Sequence, residues 1–141
     1  MSKAGQLVAM ILFFALAAMA GNTCPVILVN GAGESNAFSI TFRNAGKLPI
    51  RRIEFNCSLV PAKVHQSQRI PCYEDNALFF PGTEYTVSYP YPGGIPKPVL
   101  VSLKSVTSAN GYIWKPSRRQ PCRVVHIVPA RTRNSMMKLH P

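Results

Sequence analysis

Four cysteines, Cys24, Cys57, Cys72 and Cys122, are the side chains of this sequence most able to form bonds. Thiols attack electrophiles, ligate metals or oxidise to disulfides. No Cys-x-x-Cys occurs, and no histidine stands at ligand spacing from a cysteine. His126 follows Cys122 by four residues, which along a strand separates them by more than about 10 Å. The cysteines therefore read as two structural disulfides, with three pairings open.

Other constellations point to little chemistry. A serine nucleophile needs a Gly-x-Ser-x-Gly elbow or a His/Asp partner set, and no elbow is present. The only aspartate, Asp75, adjoins Glu74 in a turn-like Tyr-Glu-Asp-Asn stretch, and adjacent carboxylates on a strand point apart. Asn30-Gly31-Ala32-Gly33-Glu34-Ser35 holds Gly-x-Gly after an apolar run, but lacks the third glycine and the helix of a dinucleotide fingerprint, and reads as a plain turn. His65, His126 and His140 are scattered. His140 with Met136 and Met137 has the imidazole and thioether chemistry that suits copper, but these residues fall in a tail read as disordered. The expectation is a chain that is not an enzyme and uses no metal or cofactor.

Charge is the most informative surface property. Lys and Arg number 16 against five acidic residues, giving a formal charge of +11. The cations gather as Arg43, Lys47, Arg51 and Arg52, as Lys115, Arg118, Arg119 and Arg123, and as Arg131, Arg133 and Lys138. Such an excess casts a positive field over much of the surface. Arg51, Arg52, Arg118 and Arg119 are the candidates for holding an anionic cell-envelope polymer or membrane surface. No nucleic-acid motif is present, and no nucleic-acid partner is expected. A protein partner is the alternative, with Tyr89 and Tyr91 of the Tyr-Pro-Tyr-Pro-Gly-Gly loop as its contact.

These groups need a scaffold, and 141 residues argue for one domain. Lys3 precedes an unbroken apolar run, Leu7–Ala20, that ends in Ala-Met-Ala. A positive start, a short apolar stretch and an A-x-A end are the marks of a secretory signal peptide over 1–20. The expected division is a signal peptide (1–20), a folded domain (21–129) and a basic tail (130–141). The localisation expected is exported, periplasmic or extracellular, with no transmembrane helix after cleavage.

Within 21–129 apolar and polar residues alternate with period two. Phe38, Ile40 and Phe42 share one face; so do Ile53, Phe55, Cys57 and Leu59, then Tyr85, Val87 and Tyr89, then Val99, Val101 and Leu103. Val26–Val29 and Val124–Val128, the second interrupted only by His126, are short apolar runs, read as strands buried more fully. Ile50 has the parity of the polar face, so either a bulge lies near Arg51-Arg52 or the strand starts at Arg52. Asn110-Gly111 accepts positive φ at both central positions of a hairpin turn. Thirteen prolines disfavour helices. The fold class is all-β, an antiparallel β-sandwich of about seven strands.

The stretch Phe38 to Phe55, with its alternating strand, its Asn-Ala-Gly turn and its second strand introduced by Pro-Ile, resembles exported bacterial immunoglobulin-like modules. Phe80-Pro81-Gly82 is similar to the Pro-Gly that precedes a later strand in them. The resemblance implies an immunoglobulin-like β-sandwich and an exported binding or spacer role, and carries over no catalytic residue. First and last strands lie near each other in such sandwiches, which favours Cys24–Cys122. Cys57–Cys72 would then close a local connection, and Cys57–Cys122, pinning the two sheets, stays as the alternative.

Overall fold

Alternating apolar and polar residues put one side of an extended chain into a core and the other into water, and this chain is built that way throughout. The computed structural model describes residues 24–60, 68–119 and 121–131. The segment 1–20, His65 and the tail residues Arg133, Met136, Met137, Lys138 and His140 lie outside the described residues.

Nine strands form among the described residues: β1 (Val26–Gly33), β2 (Ala37–Asn44), β3 (Ile50–Leu59), β4 (Arg69–Ile70), β5 (Tyr73–Glu74), β6 (Glu84–Pro90), β7 (Val99–Ser108), β8 (Ile113–Trp114) and β9 (Val125–Ile127). The count exceeds the expected seven because the edges of one sheet are made of short pieces. The smaller sheet has the order β1-β2-β6; in the larger, β3 and β7 pair centrally, β4 and β5 line the free side of β3, and β8 and β9 line the free side of β7. All pairings are antiparallel. No helix among the described residues is long and apolar enough to cross a membrane.

Both sheets supply one core. Phe38, Ile40 and Phe42 from β2 are wholly buried, as are Ile53 of β3, Val99 and Val101 of β7 and Ile127 of β9. Phe42 packs on Phe55 at 5.7 Å and on Phe79 at 5.0 Å between ring centroids, and Tyr85 joins Phe79 at 4.8 Å. The Tyr85 phenol oxygen accepts from the Phe80 N–H at 2.7 Å, so its polar end is used at the rim. Cys24 is bonded to Cys122 and Cys57 to Cys72. Such a pair of disulfides fits an oxidising environment.

The parity problem at Ile50 has a physical answer. Ile50 pairs with Ser108 and Arg52 with Thr107, so Arg51 is the extra residue of a bulge. The bulge lets Ile50 join the core while Arg52 faces out. It lies within the sheet and not on a bare edge, because the Ala77 N–H donates to the Arg51 carbonyl at 3.1 Å.

Three expectations are corrected. Asn30–Gly33 are not a turn but the end of β1, and the chain turns at 34–36. A bulge at Val29 brings Gly31 and Gly33 opposite the buried Ile40 and Phe38. A Cβ on Gly31 would overlap the Ile127 side chain, and one on Gly33 the Val128 carbonyl. The glycines thus leave room for β9 to close the side of the core. Residues 124–128 are not buried throughout: β9 runs at a sheet edge, with Ile127 buried and Val124 and Val128 exposed. At Asn110-Gly111 only Gly111 has positive φ (88°). Ser108 N–H donates to Tyr112 O and Gly111 N–H to Ser108 O, each at 2.9 Å. This is the longer hairpin loop with one left-handed glycine, not the two-residue form.

Asn44, at the end of β2, is wholly buried. Its Nδ2 donates to Leu48 O at 3.0 Å and to Phe79 O at 2.9 Å, and its Oδ1 accepts from Gly46 N–H at 2.9 Å. Its own carbonyl accepts from Gly82 N–H at 2.7 Å. Asn44→Ala should cost about 1–3 kcal/mol in urea unfolding, because the Leu48 carbonyl and the Gly46 N–H lose their partner and the Phe79 carbonyl keeps only the Ile50 N–H. Gly33→Ala should cost about 1–3 kcal/mol by pushing the 128–130 segment outward. Unchanged midpoints would contradict either assignment.

Candidate functional site

The outer face of the larger sheet carries the densest set of paired and unpaired charges. Strand parity projects Arg52, Glu54, Asn56 and Ser58 from β3, and β7 answers with Ser105 opposite Glu54 and Thr107 opposite Arg52. A second bulge, at Lys104, frees that residue from the ladder. Each bulge in this sheet therefore presents a cation, Arg51 on β3 and Lys104 on β7.

Two of these cations are held. Arg52 Nη1 donates to Asp75 Oδ2 at 2.8 Å, and its guanidinium lies 5.5 Å from the centre of the Tyr73 ring. Lys104 Nζ donates to Glu54 Oε1 at 2.9 Å, and Ser105 Oγ lies 3.4 Å from Oε2. The Lys104 hydrogen bond holds the Glu54 carboxyl below its usual range. Both pairs are solvent-exposed, so each contributes under about 1 kcal/mol.

Two hollows flank these pairs. One, of about 540 Å³, runs beside β3 and is lined by Glu54, Asn56, Ser58, Arg69, Tyr73 and Lys104, with the Cys57–Cys72 disulfide at its wall. The other, of about 450 Å³, is lined by Arg51, Arg52, Asp75, Asn76, Thr107 and Ile113. Asn76 holds a left-handed turn there (φ 55°), and its N–H donates to Asp75 Oδ1 at 3.0 Å. The turn aims Asp75 at Arg52. Chemically, the second hollow offers a free guanidinium, a half-neutralised one and amide groups, a set suited to binding carboxylate or phosphate oxygens.

The structure brings Arg51 and Arg52 together, but Arg52 is engaged by Asp75. Arg118 and Arg119 are exposed in the turn after β8 and line neither hollow. Lys104, Arg69 and Tyr73 were not singled out from sequence. Their only signal is outward parity, and the register that joins Lys104 to Glu54 depends on a bulge that alternation does not reveal. His126, exposed on β9, is separated from Asp75 by β3 and β7, so the two make no acid–base pair. Among the described residues no three of His, Cys, Asp and Glu gather at metal-binding distance.

Within the expected partner-binding loop, Tyr89 is corrected. Tyr89 is 9% exposed and packs on Phe38 at 5.5 Å between ring centroids, so it belongs to the core. Tyr91 is half-buried against the same core. Its loop is pinned to the β1–β2 turn: Tyr91 N–H donates to Asn36 O at 2.9 Å and Gly93 N–H to Asn36 Oδ1 at 3.2 Å. The physical reason is parity, because Tyr89 extends the inward set Tyr85 and Val87. Its hydroxyl is buried without a hydrogen-bond partner. Burial, followed by the negative charge of Glu74, pushes this phenol far above its usual range. Glu74 lies opposite the buried Ile53, on the inward side of β5.

No family model matches the chain, and no curated protein matches it. A solved structure of an ApaA protein from Bordetella pertussis is similar over 79% of this chain and 100% of that one, with 17% identity and a TM-score of 0.46.

The Tyr89 geometry gives a test. Tyr89→Phe removes an unsatisfied buried hydroxyl and should be neutral, or stabilising by up to about 1 kcal/mol. In the wild-type chain the raised phenol contributes stability that is whole below the ordinary tyrosine pKa of about 10 and is lost as pH climbs towards the folded value. Alkaline unfolding should therefore start later in Tyr89→Phe, and the absorbance titration should lose its late phase. A variant destabilised at neutral pH would contradict the assignment.

Proposed function

We propose that this chain is an exported, non-enzymatic binding or structural module of the cell envelope that associates with anionic surfaces. The observation that carries the reading is the charge balance, 16 Lys and Arg against five acidic residues. The ion pairs among the described residues are Arg52–Asp75 and Lys104–Glu54. They consume two of the five acids and leave Arg51, Arg118 and Arg119 exposed and unpaired. Such a surplus attracts polyanions over a screening length of about 10 Å at 0.1 M salt and about 3 Å at 1 M.

Export is supported by the apolar run before an Ala-Met-Ala end and by the two disulfides. Two antiparallel sheets around one core support the finer reading of the fold as an immunoglobulin-like β-sandwich. In this reading Arg51, Arg118 and Arg119 hold the anionic surface directly. Arg52 acts in a graded way, since Asp75 competes for it.

Retention on an immobilised polyphosphate should fall steeply as salt rises. Arg51→Glu with Arg118→Glu and Arg119→Glu should elute at clearly lower salt than wild type, and Asp75→Asn, which releases Arg52, at higher salt. Retention independent of salt, or unchanged in the triple variant, would sink the reading.

A further inference from the structure

One end of the molecule carries exposed apolar side chains among cations. Three connections meet there: 45–49 between β2 and β3, 75–83 between β5 and β6, and 109–112 between β7 and β8. They are bound into one unit. The Asn44 Nδ2 donates to the carbonyls of both Leu48 and Phe79, and the Ala109 N–H donates to Pro49 O at 2.8 Å. Phe79 is turned into the core by its bridge to Ile50, and this turns its neighbours outward. Leu78 and Phe80 are each 52% exposed, Leu48 46% and Tyr112 63%. Ile113, beside Tyr112, is also exposed. Lys47, Arg43 and Arg51 stand exposed at the same end, and its acids are already opposed, Asp75 by Arg52 and Glu84 by Arg43 across the β2–β6 ladder.

We infer that this end docks on the surface of an anionic lipid bilayer, with Leu48, Leu78 and Phe80 entering the headgroup boundary and Lys47 and Arg51 meeting lipid phosphates. The inference rests on the anionic-surface reading and names its partner. A water-soluble polyanion rewards only the cations. Half-exposed Leu and Phe side chains on two separate loops gain free energy by entering an apolar phase, and interfacial binding grows with buried apolar area together with attraction to anionic lipid. The hollow at this end, lined by Arg51, Arg52, Asp75, Asn76, Thr107 and Ile113, is mostly polar, whereas Leu48, Leu78 and Phe80 protrude from loop tips outside it, an arrangement that matches a broad deformable surface better than a partner peptide. Tyr112 has the apolar body and polar tip that settle at headgroup level.

The test is flotation of the purified chain with vesicles of equal parts phosphatidylglycerol and phosphatidylcholine, and with phosphatidylcholine alone, alongside retention on polyphosphate. The chain should float with the anionic vesicles and far less with the zwitterionic ones. Leu78→Ser with Phe80→Ser should weaken vesicle binding about tenfold and leave polyphosphate retention in place. Lys47→Glu with Arg51→Glu should weaken both, and Thr86→Ala, on the outer face of the smaller sheet, neither. Thermal melts establish that the variants are folded, and the wild-type comparison between the two vesicle compositions decides the matter without them. Retention on polyphosphate without vesicle binding overturns the lipid inference while the anionic-surface reading stands. Equal binding to both vesicle types, or vesicle binding unaffected by the serine substitutions, also overturns it. Failure to bind either polyphosphate or vesicles overturns both.

Discussion

The arrangement of loops at one end of this protein depends on a buried amide. Asn44 sits where β2 must stop, and water does not reach its side chain. A primary amide in such a place is tolerated only when its donors and acceptor are used, because each orphaned group would carry its full desolvation cost. Here both donors and the oxygen are used, and every partner belongs to a loop: Leu48, Phe79 and Gly46. One side chain therefore ties together two segments, 45–49 and 75–83, that have little strand pairing of their own. The outward display of Leu78 and Phe80 follows from it, since fixing Phe79 fixes the direction of its neighbours.

Steric clearance is the second constraint. β9 belongs to the larger sheet through β7, and no strand of the smaller sheet pairs with it. Contact between the sheets on this side is made by shape. Gly31 and Gly33 give up their side chains at the positions where Ile127 and the 128–130 backbone arrive. Ile127 becomes fully buried in return. On the opposite side Tyr89, Tyr85 and Phe79 close the gap with large rings, so one flank is sealed by small residues and the other by bulky ones.

Much of this was legible in the chain. The inward sets of β2, β3, β6 and β7 follow directly from period two, because a half-buried strand has no other way to segregate its side chains. The odd parity of Ile50 even signalled the bulge at Arg51. What escaped was relational. Gly31 and Gly33 look like turn residues until another strand is known to pass over them. Val124–Val128 looks buried because an apolar run does not say that its strand lies at an edge. Tyr89 was offered as a contact although its parity with Tyr85 and Val87 already placed it inside. Pairings such as Arg52–Asp75 and Lys104–Glu54 depend on register, and register here is shifted by two bulges, of which alternation signals the one at Arg51 and not the one at Lys104.

The covalent connectivity has a consequence for how the molecule is made. A chain synthesised from its N-terminus presents Cys24, then Cys57, then Cys72, and Cys122 last of the four. The bond from Cys24 spans 98 residues and encloses the whole of the Cys57–Cys72 loop. An oxidant that joins thiols in order of appearance would link Cys24 to Cys57, a combination absent from the finished molecule. Correct maturation thus requires either that the first thiol be kept waiting until Cys122 has emerged, or that an early mismatched crosslink be exchanged by a thiol–disulfide isomerase.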